Sequence, residues 1–186
     1  MKEYHKNTFE GIGPSFHENS FVASGAEIKG DVRMEEFSSV WHNVSARGDV
    51  NFISIGKYTN VQDNSVLHVS DDYSCVIGDY VTIGHGAIIH ACTIEDHCLI
   101  GMGAIVLDGA VIGRGSIVAA GSVVTKGTII PPHSLVIGTP GKVVKSIEEE
   151  MEHIHAQAVK YKTLWTEGYG ILPNAGGEVY HGEEIV

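Results

Sequence analysis

Residues 94–141 read IEDHCL, IGMGAI, VLDGAV, IGRGSI, VAAGSV, VTKGTI, IPPHSL and VIGTPG, which are eight consecutive blocks of six. The first residue of every block is aliphatic, and the fifth is small in all blocks but the last. An α-helix turns about every 3.6 residues, so a strict period of six cannot stay on one of its faces. A short strand followed by a corner fits this period, with glycines supplying the backbone angles that corners need. The stretch therefore predicts a solenoid of short strands.

The same repeat extends towards the N-terminus with shifts in its phase. Three earlier groups of aliphatic residues keep the spacing of six: Val22, Ile28, Met34 and Val40; Ile55, Val61 and Leu67; and Ile77 and Ile83. Each shift predicts a bulge, a loop or a shortened corner. About 120 residues would then form one mainly β solenoid, in which each coil buries its inner face against its neighbours. Eight consecutive matches argue against a β-sandwich with chance spacing.

The repeat ends near Pro140 and Gly141, and a helix is predicted to follow. We divide the chain into a solenoid domain (1–141), a C-terminal α-helix (142–167) and an extended tail (168–186). Ser146 and Glu149 have the spacing of a capping box at a helix start. The tail is rich in glycine and polar residues, so we expect it to be loose or bound at an interface. Apolar residues at spacings of three or four predict a helix packed along the solenoid: Ile147, Met151, Ile154, Ala158, Tyr161 and Trp165.

Composition restricts the partners and the compartment. The chain of 186 residues has a formal net charge of −11, so we expect neither nucleic acid nor an anionic membrane as a partner. The sequence has neither an apolar run of about 18 residues nor the pattern of a signal peptide. Three cysteines (Cys75, Cys92 and Cys98) without CxxC spacing favour reduced thiols. Together these features predict a cytoplasmic protein.

Three histidines of the repeat, His68, His85 and His90, have a spacing that suggests a shared site. His68 and His90 are 22 residues apart, and a four-residue interruption at 71–74 lies between them. Without it, 18 residues remain, and three blocks would stack the two imidazoles on one face of a triangular coil. His85 falls on a neighbouring face. A third ligand would then have to come from another copy of the chain.

This arrangement predicts a metal site at a subunit interface. Three histidines with one open position are typical of catalytic zinc, although histidine ligands also suit iron or cobalt. His68 and His90 each follow an aliphatic residue that should point inward, so both imidazoles should point outward. The alternative for any single histidine is a surface side chain bonded to its neighbours, but the matched positions favour a site.

A dense polar segment precedes these histidines. Arg47 and Asp49 lie in one strand-like stretch, and Gln62 and Asp63 lie one block before His68. Arg47 could form a charge-assisted pair with Asp49 or with Asp63. The alternative is a solvated strand with ordinary surface ion pairs.

The stretch from Val40 to Lys142 resembles the gamma-class carbonic anhydrase family of hexapeptide-repeat proteins, which are left-handed parallel β-helices. The resemblance is carried by Arg47-Gly-Asp49, Asn60-Val-Gln62-Asp63, His68, Gly84-His85, His90 and Leu99-Ile-Gly-Met-Gly-Ala-Ile105. It covers more than half of the chain.

The resemblance implies a homotrimer that hydrates carbon dioxide reversibly to bicarbonate at three interfacial zinc sites. His68 and His90 would come from one chain and His85 from the next. Gln62 would orient the nucleophile, and Arg47 would help to bind bicarbonate and pair with Asp63 across the interface. Asp49 would support this site, and Tyr161 would correspond to a family tyrosine beside it.

Two features depart from well-developed members of that family. Val50 stands where those members have a glutamate, and the loop after His68 is short, with Asp71 and Asp72 as its acidic residues. Fast turnover is therefore in question. The ending Val136–Lys142 is similar to that of many hexapeptide acyltransferases, so an acyl-CoA transferase or thioesterase is an alternative. A non-catalytic assembly subunit that keeps the histidines is another.

Overall fold

The structure is a computed structural model that describes residues 12–186, and its solenoid is made of short strands joined by tight turns. The strands are β1 (Ser15–Phe16), β2 (Phe21–Val22), β3 (Glu27–Met34), β4 (Ser39–Val40), β5 (Ser45–Ile55), β6 (Asn60–Val61), β7 (Val66–His68), β8 (Cys75–Ile77), β9 (Thr82–Ile83), β10 (Ile88–His90), β11 (Thr93–Ile94), β12 (Leu99–Ile100), β13 (Ile105–Val106), β14 (Val111–Ile112), β15 (Ile117–Val118), β16 (Val123–Val124), β17 (Ile129–Ile130), β18 (Ser134–Gly138) and β19 (Gly141–Ser146). A 3-10 turn (Glu148–Glu150), helix α1 (Met151–Thr163) and a π-helical end (Leu164–Gly168) follow.

Each strand pairs in parallel with the strand one coil away, except that β18 and β19 are antiparallel. The strands build three walls of a triangular coil. The first wall contains the start of β5 with β7, β10, β13 and β16, and the second contains the end of β5 with β8, β11, β14 and β17. The third contains β2, β4, β6, β9, β12, β15 and β18. The first residues of the blocks, such as Ile94, Ile100 and Val106, are fully buried, which confirms the predicted β-helix.

The predicted interruption after His68 is a loop at residues 69–74, between β7 and β8. The paired residues Leu67 and Ile89 are 22 positions apart, whereas Ile89 and Val106 on the next coil are 17 apart. The extra residues lie at a corner and leave the strand register intact. His90 therefore lies directly beside His68 in the ladder.

The C-terminal helix begins later than predicted. Residues 141–146 form β19, which turns back to pair with β18, and the first helical turn starts at Glu148 rather than at residue 142. Ser146 lies in this strand and no side chain caps α1, so the predicted capping box is wrong. The physical reason is that β18 would otherwise present unpaired backbone groups at the end of the third wall.

The predicted apolar stripe of the helix is confirmed. Ile147 and Ile154 are buried against Leu99, Ile117 and Leu135 on the third wall. Further along, Trp165 is fully buried and its ring stacks on Phe21, with ring centroids 5.6 Å apart. No helix within residues 12–186 has the length and apolar character needed to cross a membrane.

Part of the tail is packed on its own chain rather than loose. The Lys162 ammonium on α1 is buried and donates to the Gly176 carbonyl at 2.6 Å. Glu178 accepts hydrogen bonds from the Tyr80 hydroxyl at 2.6 Å and from His155 at 2.7 Å. These contacts tie the tail to both the helix and a corner of the solenoid.

Candidate metal centre

His68 and His90 form the centre of the candidate site. Because Leu67 and Ile89 are fully buried, the alternation along β7 and β10 turns the two following imidazoles outward. His68 Nδ1 lies 3.1 Å from His90 Nε2, and the two rings are tilted by 56°. The predicted stacking of these two histidines on one wall is therefore confirmed.

A carboxylate holds the other ring nitrogen of each histidine. His68 Nε2 lies 3.1 Å from Asp49 Oδ1, and His90 Nδ1 lies 2.6 Å from Asp108 Oδ1. Asp49 is also paired with the Arg47 guanidinium. Carboxylates that bond the outer nitrogen of a histidine fix its orientation and raise its basicity as a metal ligand.

The pKa values of these two carboxylates follow from the same contacts. Partial burial alone would raise the pKa of Asp108, but the hydrogen bond and charge of His90 outweigh it, and the pKa lies below its usual value. Burial would likewise raise the pKa of Asp49, yet the bonds from Arg47 and His68 bring it below its usual value. Both side chains therefore remain carboxylates at neutral pH.

The donor atoms fit a tetrahedral zinc ion. With zinc–nitrogen distances of about 2.0–2.1 Å, two ligand nitrogens should lie roughly 3.3 Å apart. The separation of 3.1 Å between His68 Nδ1 and His90 Nε2 is close to this value. Within residues 12–186 of one chain, no group of three or more histidine, cysteine or acidic side chains is placed to hold a metal ion. One protomer therefore brings together two imidazole nitrogens, His68 Nδ1 and His90 Nε2.

His85 lies apart from this pair, at the corner between β9 and β10. Its Nδ1 is 3.0 Å from Asp63 Oδ2, and 43% of its side chain is exposed. The first wall between His85 and the paired histidines carries exposed apolar side chains, namely Val66 and Ile88, and Met102 lies at the same corner as His85. His85 was predicted on a neighbouring face and lies instead at the corner that joins the third wall to the first, away from His68 and His90. Its place as a ligand stays a prediction.

The remaining predicted residues are divided between the two ends of the first wall. The sequence offered Arg47 two partners, Asp49 and Asp63. Within one chain Arg47 pairs with Asp49. Gln62 is buried at the other end and donates its side-chain amide to Asn60 Oδ1 at 3.1 Å. Asp63 is beside His85 there.

Tyr161 also lies at this second end of the wall. Its ring meets Trp41 edge to face, with centroids 5.4 Å apart. Burial raises the pKa of the Tyr161 phenol, and the nearby charge of Asp63 raises it further. The helix thus places Tyr161 within electrostatic reach of the Asp63–His85 pair.

The chain resembles known proteins over most of its length. The family model described as bacterial transferase hexapeptide (six repeats) matches residues 91–126. A probable carbonic anhydrase of Methanocaldococcus jannaschii is 51% identical over 147 residues, which are 78% of this chain and 92% of that protein. Gamma carbonic anhydrase 1 of Arabidopsis thaliana mitochondria is 41% identical over 81% of this chain and 58% of its own length. The chain belongs to the gamma-class carbonic anhydrase family of hexapeptide-repeat proteins.

A solved structure has the same fold as this chain. A hexapeptide transferase family protein from Anaplasma phagocytophilum superposes with a TM-score of 0.81 and is 42% identical, with 86% of this chain and 95% of that chain covered. The left-handed parallel β-helix with a C-terminal helix is therefore the fold of this gamma-class chain.

Asp108, beside His90 in the candidate site, was missed by the sequence analysis. It lies 18 residues after His90, but β10 and β13 pair with a shift of 17, as Ile89 with Val106, so Asp108 stands one residue past the position level with His90 and reaches Nδ1 from the corner. The spacing alone did not single it out, and an aspartate at a corner resembles any solvated surface carboxylate.

Replacing Asp108 with asparagine should weaken zinc binding by roughly 10- to 100-fold, as loss of an outer partner of a metal-bound histidine generally does. The amide keeps the shape of the side chain but loses the charge that orients His90. Competition with a zinc-binding dye measures the change. Asp71→Asn, in the exposed loop after β7, is the matched control and should bind zinc like the unaltered protein. Equal affinities for the two variants would contradict this role for Asp108.

Proposed function

We propose that the protein is a metal-dependent carbonic anhydrase that interconverts carbon dioxide and bicarbonate at the interfaces of a homotrimer. His68 and His90 of one protomer and His85 of the next would hold the ion, with zinc as the best match and iron or cobalt as alternatives. The observation that supports this most directly is the convergence of His68 Nδ1 and His90 Nε2 at 3.1 Å, with a carboxylate behind each ring.

Exposed apolar side chains on the first wall support an assembly of several copies. Val66 and Ile88 are each 38% exposed, and Met102 is 61% exposed at the corner next to His85. Apolar side chains grouped in this way generally mark a contact surface. If a second protomer covered them, its corner could bring His85 to the open side of the histidine pair.

Zinc, when bound, would lower the pKa of water to about 7 and so would supply a hydroxide nucleophile at neutral pH. The chain's own residues would do the rest. The Arg47 guanidinium, 53% exposed next to Asp49, offers positive charge and two parallel donors to bicarbonate. Gln62 donates its amide to Asn60, so its carbonyl oxygen is the group that would accept a bond from the nucleophile and orient it.

Acidic residues on the loop after His68 would remove the proton that each turnover releases. Asp71 and Asp72 are exposed on the loop directly after His68, where carboxylates can pass protons to solvent. Val50 is 42% exposed in place of the acidic residue of the family's well-developed members, so this chain offers fewer such groups. We therefore propose slower turnover than in those members, with proton transfer as the limiting step.

Metal analysis combined with carbon dioxide hydration, on protein purified with and without air, tests this proposal. We expect one divalent ion per chain and hydration that a chelator removes and added zinc restores. A trimeric mass in solution should accompany both. Protein that is free of metal, or chelated protein that hydrates carbon dioxide no faster after zinc is returned, would refute the proposal.

Acyl transfer is the second candidate, because both the matching family model and the Anaplasma protein are described as transferases. An acyltransferase uses histidine as a base and does not need a metal ion. Turnover of acyl-CoA that survives chelation would therefore favour this activity over carbon dioxide hydration.

A further inference from the structure

Tyr73, in the loop between β7 and β8, places the hydroxyl end of its ring on Gly109. A Cβ atom built on Gly109 would lie 3.1 Å from Tyr73 Cζ, 3.2 Å from Cε1 and 3.5 Å from Cε2. Glycine at this position leaves room for the ring, and its φ of 66° is in the region that glycine adopts readily. The equivalent corner one coil further along is Gly127, with a φ of 67° and nothing within 4 Å of a built Cβ.

The loop holds this tyrosine in a defined place. The Ser70 N–H donates to the Tyr73 carbonyl at 3.0 Å, and the Tyr73 N–H donates to Ser70 Oγ at 3.2 Å. Asn51 Nδ2 also donates to the Ser70 carbonyl at 3.4 Å, which ties the loop to β5. Tyr73 is 44% exposed, so it separates solvent from the chain beneath it.

Gly109 directly follows Asp108, whose carboxylate lies 2.6 Å from His90 Nδ1. We propose that Tyr73 is a positioning residue that covers the chain at Asp108–Gly109 and so keeps Asp108 bonded to His90. Nothing in the catalytic scheme above uses this tyrosine. The inference rests on the proposed function only in that His90 is taken as a metal ligand.

The Tyr73 ring would act by excluding water from the Asp108–Gly109 corner and by restricting the movement of the chain there. A hydrogen bond to a carboxylate is stronger where water competes less for its oxygens. A metal ion leaves when a ligand ring turns away from it, and a fixed outer partner opposes that rotation. Removing the ring should therefore speed the loss of zinc without removing any ligand.

Four variants distinguish the effect of the Tyr73 ring from the effects of its hydroxyl group and of backbone strain. Tyr73→Ala removes the cover, whereas Tyr73→Phe keeps the ring. Gly109→Ala displaces the ring, and Gly127→Ala adds the same kind of strained alanine where no side chain is met. We expect Tyr73→Ala and Gly109→Ala to release zinc to a coloured chelator about 3- to 10-fold faster. This effect is smaller than that expected for loss of the Asp108 carboxylate, which bonds His90 directly. Tyr73→Phe and Gly127→Ala should match the unaltered protein.

A second measurement does not depend on metal. Amide hydrogen exchange of the peptide covering residues 107–110, in zinc-free protein, should be faster in Tyr73→Ala and Gly109→Ala and unchanged in the two controls. Equal exchange and equal zinc release in all four variants would overturn the inference. So would faster release in Tyr73→Phe, because the ring would then not be the cover. Unaltered protein that binds no divalent metal ion would instead refute the proposed function, and the exchange measurement would still decide the role of Tyr73.

Discussion

His85→Ala is expected to lose its zinc and its carbon dioxide hydration while keeping its fold. His85 is the proposed third ligand, and its loss should weaken zinc by more than the roughly 10- to 100-fold that loss of an outer partner costs. Two imidazoles from one chain would remain, and they cannot by themselves complete the three-histidine set of a catalytic zinc site. Metal content after gel filtration and initial hydration rates measure both effects.

The fold should survive because His85 contributes little to the core. Its side chain is 43% exposed at a corner, and its partner Asp63 is itself partly exposed. A surface ion pair of this kind contributes roughly 0–1 kcal/mol. His42→Ala removes another exposed corner histidine, whose side chain bonds only to Ser24 among residues 12–186, and is the matched control. One zinc retained per chain in His85→Ala would show that His85 is not a ligand.

The β-helix and the stacked histidines could be predicted because both follow from one local rule. Once each block of six forms one strand and one corner, residues 18 apart must share a wall. Where extra residues interrupt the blocks, their number is subtracted from the separation. Leu67 and Ile89 obey this rule across the loop at 69–74. The core residues follow in the same way, since the first position of a block always points inward.

The features that the sequence did not reveal depend on contacts between distant segments. Ser146 and Glu149 have a helix-start spacing, but pairing with β18 keeps Ser146 in a strand. The tail is polar and rich in glycine, yet Glu178 finds Tyr80 and His155 as partners. Neither outcome can be read from local spacing, because each requires the folded wall to be present first. The same limit applies to the relation of His85 to a second chain.

Mixing inactive His68→Ala chains with inactive His85→Ala chains is expected to restore activity. In a cyclic trimer each interface would join the His68 and His90 side of one protomer to the His85 corner of the next. A site is intact where a His85→Ala chain supplies the pair and a His68→Ala chain supplies His85. Random exchange at equal amounts gives this arrangement at about one quarter of the interfaces. Hydration should therefore recover to about one quarter of that of the unaltered protein.

A second mixture makes this result specific to the proposed division of ligands. His68→Ala and His90→Ala chains each lack one member of the same stacked pair, so no interface between them can have both imidazoles intact. This mixture should stay inactive, whereas His90→Ala mixed with His85→Ala should recover as the first mixture does. Subunit exchange is followed with a mass tag on one variant, so that failure to mix is distinguished from failure to complement. Tagged, mixed trimers without activity in the first mixture would mean that the three histidines do not meet across an interface.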